Sequence, residues 1–269
     1  GGAASFDCND DGYPELLLAG GEQPAKFYRN ASTKGGALKF VAEQSGLELD
    51  SVTGAYPIDV DGDGVKDIVL LRVGENAVMR GLGGCKFERA NEAWGFDGGD
   101  GWSSAFAATW ERGAKWPTLA VGNYIDRAQE MEPWGSCTDN WLHRPAIADG
   151  KSERRFAPPT ALKPSYCALS MLFTDWNRSG EQSLRVSNDR EYYEGGQEQL
   201  TVRQPGNAWL VVVRLTQRDP LTGDAVCGKL LALMYRERFF PGTWQPHPHP
   251  QTDAQQPPAA RATRCRGSG

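Results

Sequence analysis

The segment PIDVDGDGVKDIVLL, residues 57–71, crowds carboxylates into a short loop that leads directly into an apolar run. Within the nine residues 59–67, aspartate occupies positions 1, 3, 5 and 9, and Gly64 occupies position 6. Two carboxylates about 4 Å apart repel each other by roughly 4 kcal/mol at an effective dielectric constant of about 20. A loop that keeps several of them together is therefore expected to hold a cation.

Related nine-residue segments recur along the chain, and we number them in chain order as loop 1 (residues 7–15), loop 2 (59–67), loop 3 (110–118) and loop 4 (175–183). Loop 1 begins 52 residues before loop 2 and repeats its spacing, while loop 4 keeps the skeleton with weaker ligands. Strand-like runs follow loops 1, 2 and 4 at once, namely LLLAG, IVLLRV and LRVSN. Aspartate and glycine are also favoured in plain solvated turns, which is the alternative interpretation.

Oxygen-rich loops of this kind suit Ca²⁺, which takes roughly six to eight hard oxygen ligands, including a backbone carbonyl. The predicted ligands are Asp7, Asn9, Asp11, the carbonyl of Tyr13 and Glu15 in loop 1; Asp59, Asp61, Asp63, the carbonyl of Val65 and Asp67 in loop 2; and Asp175, Asn177 and Ser179 in loop 4. Loop 4 retains one carboxylate among these, so its motif can also persist purely as a turn. An EF-hand is excluded because its position 12 requires glutamate, whereas Leu18 and Leu70 stand there.

A less obvious copy of the repeat contains loop 3. In WERGAKWPTLAVGNY, residues 110–124, Trp116-Pro117-Thr118-Leu119 stands where loop 1 has Tyr13-Pro14-Glu15-Leu16. The acidic positions are gone, which indicates a unit that kept its strand and lost its ion. The period is about 50 residues, and each unit offers short β-rich stretches that suit one four-stranded propeller blade.

These units predict an all-β fold: a partial β-propeller of about four blades with D-x-[DN]-x-D-G-x-x-[DE] calcium loops and an irregular C-terminal tail. Neighbouring blades must stack because one blade cannot bury both of its faces. The predicted organisation is propeller repeats over residues 1–200, a divergent or non-native segment over 201–240 and a Pro-rich disordered tail over 241–269. The net charge changes from acidic before residue 200 to basic after it.

Composition narrows the class of protein. The acidic excess over residues 1–200 argues against a nucleic-acid partner. The sequence has no run of 18 apolar residues, so no membrane span is predicted. The chain opens on Gly1 without a signal peptide. Because the first motif begins at Asp7, we expect that the N-terminus is a cut. The six cysteines form no C-x-x-C pair, which excludes zinc-finger and thioredoxin-like sites. The four before residue 200 allow three disulfide pairings, with free buried thiols as the alternative.

The loops resemble the FG-GAP/VCBS repeats of integrin-type β-propellers, and Gly54-Ala55-Tyr56-Pro57 stands where that family has Gly-Ala-Pro. The stretches LAVGNYIDR, PWGSCTDNWLHRP and CALSMLFTDWNRSG, together with LRVSNDREYYEGGQEQL, resemble bacterial secreted relatives of cartilage acidic protein, the ASPIC/UnbV group. The resemblance covers about residues 5 to 200 and implies an exported, calcium-bearing propeller of the seven-bladed type with a binding role. The chain departs from that pattern in holding about four repeats and in losing the pattern after Leu200.

The function predicted on these grounds is a calcium-stabilised extracellular β-propeller binding module, not catalytic, with a protein or carbohydrate ligand. The location predicted is secreted, cell-surface or periplasmic. A polysaccharide lyase or hydrolase on a propeller scaffold is the alternative. No G-x-S-x-G or H-E-x-x-H motif is present, and a catalytic pair of carboxylates is left open because their separation in space is not readable from the sequence.

Overall fold

A computed structural model describes residues 2–126, 136–146, 155–176, 178–189, 198–203 and 209–215. Within these residues the chain forms four antiparallel, four-stranded sheets, each built from consecutive strands, and one short helix. This confirms the prediction of an all-β fold with about four four-stranded units. None of the helices in the described part of the chain has the length and apolar character needed to cross a membrane.

The strands follow the repeat closely. Sheet 1 contains β1 (Ala3–Phe6), β2 (Glu15–Leu18), β3 (Lys26–Asn30) and β4 (Phe40–Ala42). Sheet 2 contains β5 (Val52–Ile58), β6 (Asp67–Arg72), β7 (Ala77–Gly81) and β8 (Phe87–Arg89), and the helix α1 (Asn91–Trp94) follows it. Sheet 3 contains β9 (Ser103–Thr109), β10 (Thr118–Asn123), β11 (Asn140–His143) and β12 (Thr160–Leu162). Sheet 4 contains β13 (Ala168–Thr174), β14 (Ser183–Asn188), β15 (Glu198–Arg203) and β16 (Trp209–Leu215).

The sheets are arranged like propeller blades. The first strands of successive sheets contact one another, β1 with β5, β5 with β9, and β9 with β13. Each of loops 1 to 4 joins the first strand of its sheet to the second, and position 9 of each loop is the first residue of that second strand. The four loops therefore occupy the same place in four equivalent sheets, which is consistent with a β-propeller-like fold.

The second strands of sheets 2 and 3 are buried on both faces. Every residue of β6 except Arg72 is buried, and all of β10 is buried. Because successive side chains of a strand point to opposite faces, Ile68 and Leu70 pack toward sheet 1 whereas Val69 and Leu71 join the core shared with sheet 3. A continuous apolar run such as IVLL is thus explained by a sheet that is covered on both sides.

Two disulfides settle the pairing that the sequence left open. Cys8, at position 2 of loop 1, is bonded to Cys85 in the turn between β7 and β8, which links sheet 1 to sheet 2. Cys137 is bonded to Cys167. Free thiols are therefore not what the structure shows at these four positions. Cys227 and Cys265 lie outside the described residues.

The fourth sheet continues past residue 200, because β15 spans Glu198–Arg203 and β16 ends at Leu215. The boundary predicted at residue 200 thus falls inside β15. Residues 216–269 lie outside the described part of the chain, so the predicted divergent segment and Pro-rich tail stay predictions there.

His143, at the end of β11, is buried and stacks on Phe96 with ring centroids 4.4 Å apart. Burial lowers the pKa of His143 from 6.5 to about 4, while the nearby carboxylate of Asp97 acts weakly in the opposite sense. The unfolded chain therefore binds a proton at a higher pH than the folded protein does. Stability is lost as the pH falls through this interval.

We expect His143 to remove about 3 kcal/mol of stability as the pH falls from about 6.5 to about 4. The substitution His143→Gln, which does not titrate, should flatten that part of the pH profile. Denaturant unfolding of both proteins between pH 8 and pH 4 measures the difference in slope. A variant that keeps the wild-type slope below pH 6.5 would contradict the assignment.

Candidate metal centre

Loops 1, 2 and 4 share one hydrogen-bonded turn. The position-1 aspartate accepts a hydrogen bond from the backbone N–H of the glycine at position 6, and the side chain at position 5 accepts one from the N–H at position 7. The position-1 bonds are Gly12 N to Asp7 (2.8 Å), Gly64 N to Asp59 (3.0 Å) and Gly180 N to Asp175 (2.8 Å). The position-5 bonds are Tyr13 N to Asp11 (2.8 Å), Val65 N to Asp63 (2.8 Å) and Glu181 N to Ser179 (3.2 Å).

The backbone of these three loops is also alike. Positions 4 and 6 both have positive φ in each loop: Asp10 58°, Gly12 80°, Gly62 74°, Gly64 88°, Arg178 56° and Gly180 82°. Glycine adopts such angles at little steric cost, which explains its presence at position 6 in all three copies. Loop 4, with its weaker ligands, thus folds into the same turn as loop 2. Asn177 lies outside the described residues.

Three of the predicted ligands of loop 2 converge. Asp59, Asp61 and Asp67 each place one carboxylate oxygen within 4.8 Å of the other two. Ligand distances for Ca²⁺ are about 2.3–2.6 Å, so oxygens this close can share one ion. Asp63 is not part of this group, and it accepts a hydrogen bond from Arg80 Nη2 at 3.4 Å.

Asp67 is the most constrained of the three. It is fully buried, and its two oxygens accept hydrogen bonds from Val60 N at 2.7 Å and from Gly81 N at 2.8 Å. Burial raises the pKa of Asp67 to about 6, and the charges of Asp61 and Asp63 add to the effect. The pKa of Asp61 is also raised, first by burial and then by Asp63. A positive ion at this point would favour the charged carboxylates.

Loop 1 shares the turn but not the convergence. Its fully buried Glu15 accepts hydrogen bonds from Cys8 N at 3.1 Å and from Asn30 N at 3.4 Å, as Asp67 does in loop 2. Within the described residues, the group of close ligand-type atoms at this loop is Cys8, Glu15 and Cys85. The two sulfurs form a disulfide and are not available as thiolate ligands. The ligand sets predicted for loops 1, 2 and 4 stay predictions.

Loop 3 replaces the acidic cluster with an ion pair. Thr118, at position 9, donates a hydrogen bond to Glu111 Oε1 at 2.7 Å. Arg144 Nε donates to the same oxygen at 2.7 Å, and Arg144 Nη2 contacts the other oxygen of Glu111. A guanidinium thus supplies the positive charge beside this loop. The loop motif alone gave no signal for Arg144, because this residue directly follows the third strand of the sheet, outside the loop.

A cleft of about 420 Å³ opens beside loop 2. Its lining combines two carboxylates, two guanidinium groups and two indoles: Asp61, Asp63, Arg80, Arg155, Trp94 and Trp116. The indoles of Trp94 and Trp116 meet edge to face with ring centroids 5.0 Å apart. The guanidinium carbon of Arg155 lies 6.0 Å from the ring centroid of Trp116.

Comparison with known protein families agrees with the geometry of the first two sheets. Residues 7–70 match the family model of the FG-GAP-like repeat. The matched segment runs from the start of loop 1 through loop 2 and into β6. It supports an FG-GAP-type, β-rich fold and covers less than half of the chain. A comparison with curated proteins found no match, and the resemblance to the ASPIC/UnbV group stays a prediction.

Replacing Arg144 should test whether loop 3 depends on its ion pair. Arg144→Gln leaves the mostly buried Glu111 without its guanidinium partner, and we expect a loss of about 2 kcal/mol in the free energy of unfolding. Denaturant unfolding measures that loss, which should be equal with calcium and with EDTA.

The exposed Arg112 in the same loop provides the matched control. Arg112→Gln makes the same change in charge and should alter stability far less. Equal losses for the two variants, or a loss for Arg144→Gln that disappears when calcium is added, would count against this role.

Proposed function

We propose that the protein is a calcium-stabilised, extracellular β-propeller-like binding module. The observation that carries the proposal is the convergence of Asp59, Asp61 and Asp67 in loop 2. The turn shared by loops 1, 2 and 4 supports it, because the same backbone recurs although the side chains differ. FG-GAP repeats are generally ligand-binding or extracellular modules, and residues 7–70 match that repeat.

The ion has a structural role in this proposal. In loop 2 it would be held by Asp59, Asp61 and Asp67, with Asp63 and the Val65 carbonyl completing the oxygen set. Its positive charge offsets the repulsion among the carboxylates and the cost of burying Asp67. Because Asp67 also accepts hydrogen bonds from Val60 and Gly81, the ion would fasten the loop to the third strand of sheet 2.

An oxidising, exported location fits the covalent structure. Disulfides such as Cys8–Cys85 and Cys137–Cys167 form and persist in secreted, cell-surface and periplasmic proteins. Extracellular calcium modules also use weaker sites than intracellular calcium buffers do. The proposal includes kinship with the ASPIC/UnbV group, which rests on the sequence stretches of the third and fourth repeats, and a protein or glycan as ligand.

The role of calcium is tested by thermal unfolding in calcium and in EDTA. A ligand present at 100 times its dissociation constant adds about 2.7 kcal/mol of stability, so the midpoint should rise in calcium. Asp61→Asn should reduce the rise because it removes a charged ligand of loop 2. Asp50→Asn changes the charge equally at an exposed position outside the loops and should leave the rise intact. Equal wild-type midpoints in calcium and in EDTA would overturn the proposal.

The binding role is tested separately with a panel of polysaccharides and a glycan array. Retention of a glycan without any product supports a binding module. Release of shortened or unsaturated products would instead identify a hydrolase or lyase. The two outcomes are distinguished by chromatography of the polysaccharide after incubation with the protein.

A further inference from the structure

An arginine recurs at one register position of sheets 1, 2 and 3: within the third strand of sheets 1 and 2, and directly after the third strand of sheet 3. In loops 1 to 3, the residue after position 9 is paired across the sheet with a third-strand residue, and the next residue along the chain is arginine. The pairs are Leu16 with Tyr28, Ile68 with Met79, and Leu119 with His143, and the arginines are Arg29, Arg80 and Arg144. Each arginine therefore stands beside position 9 of its own loop.

The three guanidinium groups have different partners. Arg29 Nε lies 3.0 Å from Glu43, which is outside loop 1 and also contacts Lys86. Arg144 is paired with Glu111 within loop 3. Arg80 reaches into loop 2, where Nε lies 3.3 Å from Asp61 Oδ2 and Nη2 lies 3.4 Å from Asp63 Oδ2.

Arg80 and a metal ion would therefore both contact the carboxylate of Asp61. Asp61 belongs to the convergent group with Asp59 and Asp67, and its side chain is only 12% exposed. A cation that binds these oxygens must either displace the guanidinium of Arg80 or tolerate its repulsion. Loop 1 has no such contact from Arg29 among the described ion pairs.

We propose that Arg80 is an internal competing cation that weakens the affinity of loop 2 for Ca²⁺. This inference rests on the proposed calcium site. The three loops then differ in the role of their arginine. The arginine beside loop 1 is paired elsewhere, the arginine beside loop 2 competes with the ion, and the arginine beside loop 3 takes the place of the ion. Loop 2 is then a weaker site whose occupancy follows the calcium concentration.

Arg80 also lines the cleft beside loop 2, together with Trp116 and Arg155. Loss of its contacts with Asp61 and Asp63 would change the distribution of charge in that cleft. Calcium occupancy of loop 2 is thereby linked to the electrostatics of a surface large enough for a ligand group. By reciprocity, an anion that binds the freed guanidinium would strengthen calcium binding.

The test compares calcium binding by the wild-type chain and by Arg80→Gln. Trp94 and Trp116 line the same cleft as Asp61 and Asp63, so they can sensitise the luminescence of Tb³⁺ bound in loop 2, and calcium is titrated against it. Because Trp176 stands in loop 4, the signal of loop 2 is the part that Asp61→Asn removes. Removing one or two partly exposed ion pairs should tighten Ca²⁺ binding at loop 2 by roughly three- to tenfold. Arg80→Lys, which keeps the charge but loses the forked guanidinium, should give a smaller gain.

Arg29→Gln is the matched control, because it removes the same charge at the equivalent position of sheet 1 and should leave the affinity of loop 2 unchanged. Suppose that calcium binds the wild type and that Asp61→Asn removes part of the Tb³⁺ signal, which identifies the signal of loop 2. If both Arg80 variants then bind calcium at loop 2 with wild-type affinity, the inference about Arg80 fails while the proposed function stands. If the wild type and Arg80→Gln both fail to bind calcium, the proposed function and this inference fail together.

Discussion

Each loop ends on a buried polar residue at the start of the second strand, and in loops 1 to 3 this residue ties the loop to its sheet. Position 9 is Glu15, Asp67, Thr118 or Ser183, and all four are at most 3% exposed. In the first three loops this residue bonds to position 2: to the backbone N–H of Cys8 and of Val60, and to the side chain of Glu111. Buried backbone N–H groups must have acceptors, so an apolar residue at position 9 of loops 1 and 2 would leave a donor unpaired.

A buried carboxylate at position 9 is stabilised by a positive charge nearby. A carboxylate is a strong acceptor for two N–H groups, as in Asp67, but burying it without a cation is costly. Its neighbours Asp61 and Asp63 increase that cost. In loop 3 the guanidinium of Arg144, directly after the third strand, supplies that charge to Glu111. In loop 2 the proposed metal ion would share Asp61 with the guanidinium of Arg80.

The loops and the number of sheets were predictable because both depend on local spacing. Position 9 begins the second strand in all four sheets, so a nine-residue motif followed by an apolar run located each unit, even in loop 3, which has no acid at positions 1, 3, 5 and 9. The roles of Arg80 and Arg144 were not predictable from that motif. Glu15 precedes Arg29 by 14 residues and Asp67 precedes Arg80 by 13, so the contact depends on hairpin length and strand register. The pairing of Cys8 with Cys85 depends in the same way on how sheets 1 and 2 pack.

The fourth sheet extends beyond the last recognisable loop motif. Repeats were recognised by their loops, and the loop stands between the first and second strands, so the third and fourth strands carry little of the signal. In sheet 4 those strands, β15 and β16, extend to Leu215 although the acidic pattern has ended. Antiparallel pairing of β14 with β15 and of β15 with β16 needs backbone hydrogen bonds, which almost any non-proline sequence can supply. The end of a recognisable motif is therefore a poor marker for the end of a blade, because the residues under the strongest chemical constraint lie at its beginning.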